Sequence, residues 1–484
     1  MRAERDQLGE RQLPPGVYYG VHTLRALENF PLTGIPFGAH PELVSSLARV
    51  KQAAARANSD LGVLDPVKAD AIDRAFAEIA GGVLHDQFVV DVFQGGAGTS
   101  SHMNANEVIA NRALELLGLP MGSYDHIHPN DDVNRSQSTN DVYPTALKLA
   151  LHASAGRLRG AMGVLEDAFA QQEEKWKDLV KLGRTQLQDA VPMTLGQEFG
   201  TFAKTVRDDA LTLSHATDAL CDIVLGGTAI GTGLAADPRF GRAAMAHLGA
   251  LVEVPIRAAP DPIEATQGVG SFIQLSSSLR QIALRLSKIC NDLRLLASGP
   301  RAGLGEIRLP ALQAGSSIVP GKVNPVLPEA VNQVCFDVIG SDAAVTAAAH
   351  AGQLQLNAFE PLIGHHLLTS MSRLDAACRL LASRCVQGIE ADVARMEGYA
   401  ERSPALATAL NPLLGYKATT ALARECLVTG RSVRDLASEA GALPAPDLVK
   451  LLDLLRHDAQ WFVTAGVPDR RGGPVRHGWE LRSS

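Results

Sequence analysis

The chain has 484 residues, a formal net charge of −7 and 46% hydrophobic residues, enough for two to four domains at roughly 150 residues each. Charged residues make up 20%, too few for a disordered or coiled-coil protein, and so mild a negative balance gives no field for nucleic acid or an anionic membrane. No apolar run reaches the roughly 18 residues of a membrane span. The start, MRAERDQLGE, lacks the apolar stretch of a secretion signal, so a cytoplasmic location with no membrane partner is expected.

Aromatic residues are only 5%, which favours helix over strand. The first 40 residues are rich in Pro and Gly, and an extended arm or short strands fit LPPGVYYGVHTL and FPLTGIPFG. From Glu42 apolar residues recur at three- and four-residue steps up to Gly62, and PVKADAIDRAFAEIAGG repeats the design. A glycine-rich break, FQGGAGTSSHMNANEV, leads into a helix ending near Gly118, and a second break spans His128–Pro144. Long helices are expected at about 145–180, 195–225, 264–298, 328–354 and 358–390, with VKLGRTQLQDAVPM as a polar break before the second. Helices of this length, against a mean of about 11–12 residues, need a bundle or an oligomer to bury them.

The segment 326–357 carries only Glu329, Asp337 and Asp342 as charged residues, so it reads as apolar nearly all round. It belongs either at the centre of a bundle or in an oligomer core. Beyond Met396 shorter helices suggest a small C-terminal domain, with a loose tail at PDRRGGPVRHGWELRSS. The six cysteines, Cys221, Cys290, Cys335, Cys378, Cys385 and Cys426, form no CxxC pair and read as buried free thiols.

Four polar breaks interrupt this helical chain, near residues 95–106, 128–141, 183–189 and 313–325. They hold hydroxyls and amides at Thr99, Ser100, Ser138, Thr139, Asn140, Thr185, Gln186, Ser316, Ser317 and Asn324, and a cation at Lys322. Such donors suit carboxylate oxygens or an oxyanion that develops in a transition state. Each loop taken alone is equally a set of helix caps. HExxH, GxSxG and P-loop strings are missing, and GGTAIGTG at 226–233 follows a helix, which makes a nucleotide role weak. The histidines do not cluster at metal-ligand spacing.

GSSIVPGKVNP at 315–325 resembles the GSSxMPxKxNP signature of the aspartase/fumarase superfamily. The strings YYGVHTLRALENF, GGAGTSSHMNANEVIANRALE, HPNDDVNRSQSTNDVYPT, GRTQLQDAVPMTLGQEF and SKICNDLRLLASGPRAGLGEI follow in the family's order, so the resemblance covers nearly the whole chain. GGAGTS and KVNPVLPEAVNQVCFDVIG look like the aspartate ammonia-lyase branch rather than the class II fumarases.

The resemblance implies an all-α, three-domain subunit with a central long-helix bundle, divided at about 1–141, 142–396 and 397–484. It implies a homotetramer whose sites combine loops of three subunits. The implied reaction is elimination of ammonia from L-aspartate to fumarate through an aci-carboxylate. Thr99, Ser138, Thr139 and Ser317 would donate to the β-carboxylate. Asn140 and Thr185 would hold the amino group, with Gln186 beside them. Lys322 and Asn324 would bind the α-carboxylate, and Ser316 would be the base. No metal or organic cofactor is implied. The sequence departs from the pattern at Val319 (usually Met), His102 (usually Asn), Asp132 (usually His) and Gln186 (His in fumarases and some aspartases). Two other readings are a fumarase or a lyase for another substituted succinate, and a catalytically silent helical scaffold.

Overall fold

The computed structural model describes residues 1–439. Among them the fold is all-α as expected, with four two-stranded sheets as accessories. The chain forms two compact units. Met1–Ala168, Ala203–Leu295 and Leu309–Gly388 make the larger; Phe169–Phe202, Leu296–Arg308 and the chain from Ile389 make the smaller. The expected tail from Pro468 lies outside the described residues.

The larger unit begins with an antiparallel hairpin, β1 (Arg2–Asp6) and β2 (Gly9–Leu13), followed by α1 (Val21–Asn29). The sequence reading put extended chain over Leu13–Leu24, and α1 corrects part of it. The helix start is held by remote carboxylates. Glu107 accepts from the backbone N–H groups of Gly20, His22 and Thr23 and from the Thr23 hydroxyl, and Glu4 accepts from Val21 N–H. These satisfy donors that a local cap ordinarily satisfies, so no cap residue precedes α1 in the sequence.

Then α2 (Pro41–Asp60) and α3 (Pro66–Ala80) form where the periodicity places them. Asp65 caps α3 by accepting from Val67 and Lys68 N–H, with Pro66 at the first helical position. Next come α4 (Thr99–Leu116) and α5 (Thr139–Lys175). The start of α5 lies upstream of the expected residue 145. Ser138 and Asp141 form a reciprocal cap: Ser138 N–H donates to Asp141 Oδ1 at 3.0 Å, and Ser138 Oγ accepts from Asn140 N–H at 3.2 Å. That cap carries the helix past Pro144, which lacks the N–H that would bond back to Asn140.

The long helices α6 (Leu195–Asp218), α9 (Gly270–Leu296), α10 (Val326–His350) and α11 (Glu360–Arg384) follow, with short α7 (Phe240–Leu251) and α8 (Pro262–Gln267) before α9. Buried polar ties set their registers. Asn332 on α10 donates to Ser287 on α9, Ser276 and Arg280 donate to Asp342, and Arg285 on α9 pairs with Asp209 on α6. Within one chain only one face of α10 is covered, the face that carries Val331, Cys335, Val338 and Val345. Its opposite face, with Phe336 59% exposed and Ala330, Gly340, Ala343 and Ala347, is open. The central-burial alternative therefore fails for the single chain. All six cysteines are free and buried, as read from the sequence.

In the smaller unit, β3 (Val180–Thr185) and β4 (Gln188–Thr194) make an antiparallel hairpin where a polar break was expected. Gln186 and Leu187 form its two-residue turn with φ of +54° and +62°. Such a turn ordinarily uses Asn-Gly, so the sequence carries no hairpin signal. Helices α12 (Val393–Arg402), α13 (Asn411–Thr429) and α14 (Val433–Glu439) complete the unit. The described helices include none long and apolar enough to cross a membrane.

Candidate active site

Thr99 and Thr139 are the first residues of α4 and α5, and the two helix starts are neighbours. His102 Nδ1 lies 2.7 Å from Thr139 Oγ1. Gly98 packs on the Tyr143 ring, where a Cβ would approach within 2.6 Å. Gly98 has φ +89°, Gly96 φ +88° and Ala97 φ +53°, so the chain turns through three left-handed residues to aim α4. The helix dipole favours an anion at each helix start, although Thr99 and Ser101 N–H are already held by Gly96 O and Gln94 Oε1, and Asn140 N–H by Ser138 Oγ. Thr99, Ser138, Thr139 and Asn140 are half-buried there. The Thr99 hydroxyl donates to Gly96 O at 2.6 Å, and Asn140 Nδ2 to Ala229 O at 2.8 Å.

That contact brings in the glycine-rich segment 226–233. The fully buried carboxylate of Asp141 accepts from Gly226 N–H (3.1 Å) and Thr228 N–H (3.0 Å), as well as from Ser138. Burial pushes this carboxyl up to about 6, against three backbone N–H donors and Lys51, which pull it down. The 226–229 turn thus buttresses the start of α5. Thr228 has φ +54°, unusual for a β-branched residue, and its buried hydroxyl finds no partner among the described residues. The glycine pattern was visible in the sequence; its position beside Asn140 was not.

Beneath Thr139 runs a polar chain that the sequence also did not reveal. Lys51, on α2 and with no exposed surface, lies 2.5 Å from His102 Nε2, 3.2 Å from Asn134 Oδ1 and 3.1 Å from Gln137 Oε1. Burial pulls both Lys51 and His102 well below their usual ranges; Asp141 works against this for the lysine, and Lys51 adds to it for the histidine. The other departures have ordinary duties. Asp132 pairs with Lys68 at 2.9 Å; the neighbouring His128, which keeps to the pattern, accepts at Nδ1 from Asn130 and Asp131 N–H, as a cap.

The Gly315–Pro325 segment is an exposed loop pinched at its stem. Asn324 Nδ2 donates to Gly315 O at 2.6 Å, and a Cβ on Gly315 would meet Lys322 O at 2.1 Å. At its head the Ser316 Oγ accepts from Ile318 N–H at 3.2 Å and Val319 N–H at 2.9 Å. Two N–H groups aimed at one hydroxyl oxygen stabilise negative charge on it. Ser317 and Lys322 point into the open, and Ile318 is 86% exposed.

Thr185 and Gln186 sit at the exposed tip of the β3–β4 hairpin in the smaller unit. Its stem is fixed by Arg184, which pairs at 2.7 Å with the buried Glu306, itself paired with Lys181 at 3.3 Å. The ten expected residues therefore fall into three groups within one chain. Thr99 and Ser138–Asn140 are brought together; among the described residues, no hydrogen bond joins them to the 315–324 loop.

A lyase family model matches residues 9–340, and a fumarase C C-terminus model matches 406–456. The chain is 52% identical over 456 residues to an aspartate ammonia-lyase of Pseudomonas canavaninivorans, covering 94% of this chain and 96% of that one. It is 47% identical over 449 residues to the aspartate ammonia-lyase of Escherichia coli K12, covering 93% and 94%. Among solved structures it resembles a fumarate lyase:delta crystallin from Brucella melitensis bound to cobalt, with a TM-score of 0.92 and 54% identity over 94% of this chain and 99% of that one. A class II fumarase from Schistosoma mansoni superposes with a TM-score of 0.90 at 32% identity, covering 95% and 99%.

Proposed function

The chain belongs to the aspartase/fumarase superfamily of lyases, and from that premise we propose that it is an aspartate ammonia-lyase, converting L-aspartate to fumarate and ammonia. The observation that carries the substrate is the near full-length identity, about half of all residues, with aspartate ammonia-lyases.

The chemical obstacle is the Cβ proton, barely acidic beside a carboxylate that is already negative. Its removal creates a dianionic aci-carboxylate, so donors must act most strongly on charge that appears only then. The paired starts of α4 and α5, with the hydroxyls of Ser138 and Thr139, are suited to that β-carboxylate; Thr99 joins them by turning its proton from Gly96 O, and Ser317 adds a further hydroxyl. Lys322 supplies a fixed positive charge for the α-carboxylate, with Asn324 beside it. Asn140 and Thr185 hold the amino group, with Gln186 next to them.

Ser316, as its oxyanion, takes the Cβ proton and becomes the hydroxyl. A serine hydroxyl needs help to act as a base at neutral pH, and the Ile318 and Val319 N–H groups on its oxygen supply part of it. The Cβ–H pair is held first in the aci-carboxylate; it then returns to form the Cα–Cβ double bond as the C–N bond breaks and ammonia leaves.

The three groups of residues are completed by other subunits of a homotetramer, with the three-part subunit at 1–141, 142–396 and 397–484. The open face of α10 supports this, because a helix with so few charges leaves apolar surface uncovered in the single chain. A cytoplasmic location fits the free thiols.

Incubation with L-aspartate should release fumarate, read by ultraviolet absorbance, and ammonia in equal amounts, while L-malate is turned over poorly. Malate turnover as fast as aspartate turnover would replace this reading with a fumarase, and no turnover of either would leave a lyase for another substituted succinate or the silent scaffold.

A further inference from the structure

The hydrogen bonds beneath Thr139 have a direction that can be worked out donor by donor. Gln137 Nε2 donates to Val133 O at 3.0 Å and Arg135 O at 3.2 Å, so its Oε1 is the atom facing Lys51. Asn134 Nδ2 faces Gln137 O at 3.5 Å, so its Oδ1 faces Lys51 too. Both oxygens only accept, and they commit two N–H groups of the lysine. The third neighbour, His102 Nε2, decides the rest.

Burial keeps the His102 imidazole neutral, and two arrangements then satisfy every atom. With Lys51 as ammonium, its third N–H donates to Nε2, the imidazole proton sits on Nδ1, and Nδ1–H donates to Thr139 Oγ1. The hydroxyl proton of Thr139 is then free to point away from His102. With Lys51 neutral, its lone pair accepts from Nε2–H and Nδ1 accepts the Thr139 hydroxyl. Thr139 would then meet an incoming carboxylate with lone pairs only. An anionic substrate therefore selects the first arrangement; burial disfavours the lysine charge, and the Asp141 carboxylate works against burial.

We propose that Lys51 and His102 are positioning residues that hold the Thr139 hydroxyl as a hydrogen-bond donor to the substrate carboxylate, through the directed chain Lys51 Nζ–H to His102 Nε2 and His102 Nδ1–H to Thr139 Oγ1. The inference rests on the aspartate reading of the site. It gives Lys51, which is sealed from solvent, a way to act on substrate: each link strengthens as negative charge builds at the far end. It also gives the departure at position 102 a task.

The test separates the two ring nitrogens in the full-length protein. The amide of His102→Asn reaches about as far as Nδ1, and that of His102→Gln about as far as Nε2. The directed chain requires a donor at Thr139, so His102→Asn should keep kcat for L-aspartate within about tenfold. His102→Gln should lower kcat by about 10²-fold, with a much smaller change in KM and with unfolding midpoints and oligomeric state like wild type. The reverse order, Gln tolerated and Asn inactive, would mean that His102 serves only to satisfy Lys51, and would overturn the proposal. A second measurement needs no variant to be active. In histidine-labelled wild type saturated with succinate, solid-state 15N spectra should give one resonance pair, lost in His102→Asn, with a protonated Nδ1 and an unprotonated Nε2. An Nε2–H tautomer there overturns the chain. Wild type that fails to turn over L-aspartate sinks the functional reading instead, and the tautomer still decides the direction.

Discussion

Gly98 lies against the ring of Tyr143 so closely that a Cβ would come within 2.6 Å of Cγ, which locks the start of α4 to the first turns of α5. Gly98→Ala has two costs. A left-handed φ of +89° is unfavourable for alanine by about 1–2 kcal/mol, and overpacking adds about 1–3 kcal/mol. We expect a loss of roughly 2–5 kcal/mol in denaturant unfolding, and a lower kcat because the two helix starts separate. Wild-type stability and turnover in this variant would show that the helix starts move independently.

Thr139 is where the helix start, the hydroxyl and the buried chain meet. Removing one preorganised donor to a developing oxyanion costs about 10²–10³ in kcat, or about 2.7–4 kcal/mol. Thr139→Ala should lose that much, and Thr139→Ser should recover most of it. Equal turnover by the alanine variant and wild type would remove Thr139 from the chemistry.

Glu360, fully buried at the start of α11, has its carboxyl pushed up to about 8 by burial, with Lys148 opposing. A pKa raised above its ordinary 4.5 means that the native state holds the proton longer than the unfolded chain. Its contribution to stability is complete below about pH 4.5, declines as the unfolded chain ionises, and is gone once pH has risen through about 8. Glu360→Gln keeps the shape without the charge. Its unfolding free energy relative to wild type should climb between pH 5 and pH 8, by at most roughly 1.4 kcal/mol per pH unit, and level off above. A difference that is flat with pH would mean that Glu360 is ionised throughout.

Ser316 and Thr185 test the assembly. Ser316→Ala deletes the proposed base and Thr185→Val a proposed ligand of the amino group, so each variant should be nearly inactive yet folded. If sites combine loops of different chains, unfolding both variants together and refolding the mixture should form hybrid tetramers with some intact sites. Activity should then exceed that of either variant treated alone. Hybrids confirmed by mass but without activity would place both loops in one chain.

The sequence by itself determined the long helices and the hydroxyl-rich segments. Their marks are local: apolar steps of three and four residues through Leu43, Leu47, Val50 and Ala54, the Asp65–Pro66 start of α3, and the Gly315–Pro325 string. It also gave the family, through motifs in fixed order. What it could not show were interactions closed by distant residues. The start of α1 depends on Glu107, more than eighty residues on, and the β3–β4 turn on a stem whose Arg184 is fixed by the buried Glu306. The 226–229 turn reads as a stray glycine run until Asp141 gathers its N–H groups. His102 reads as a departure from pattern until Lys51 and Thr139 stand at its two nitrogens. A side chain's hydrogen-bonding duty is set by what packs around it, and in this chain those neighbours arrive from α2, α4 and α5 only once the fold has brought them together.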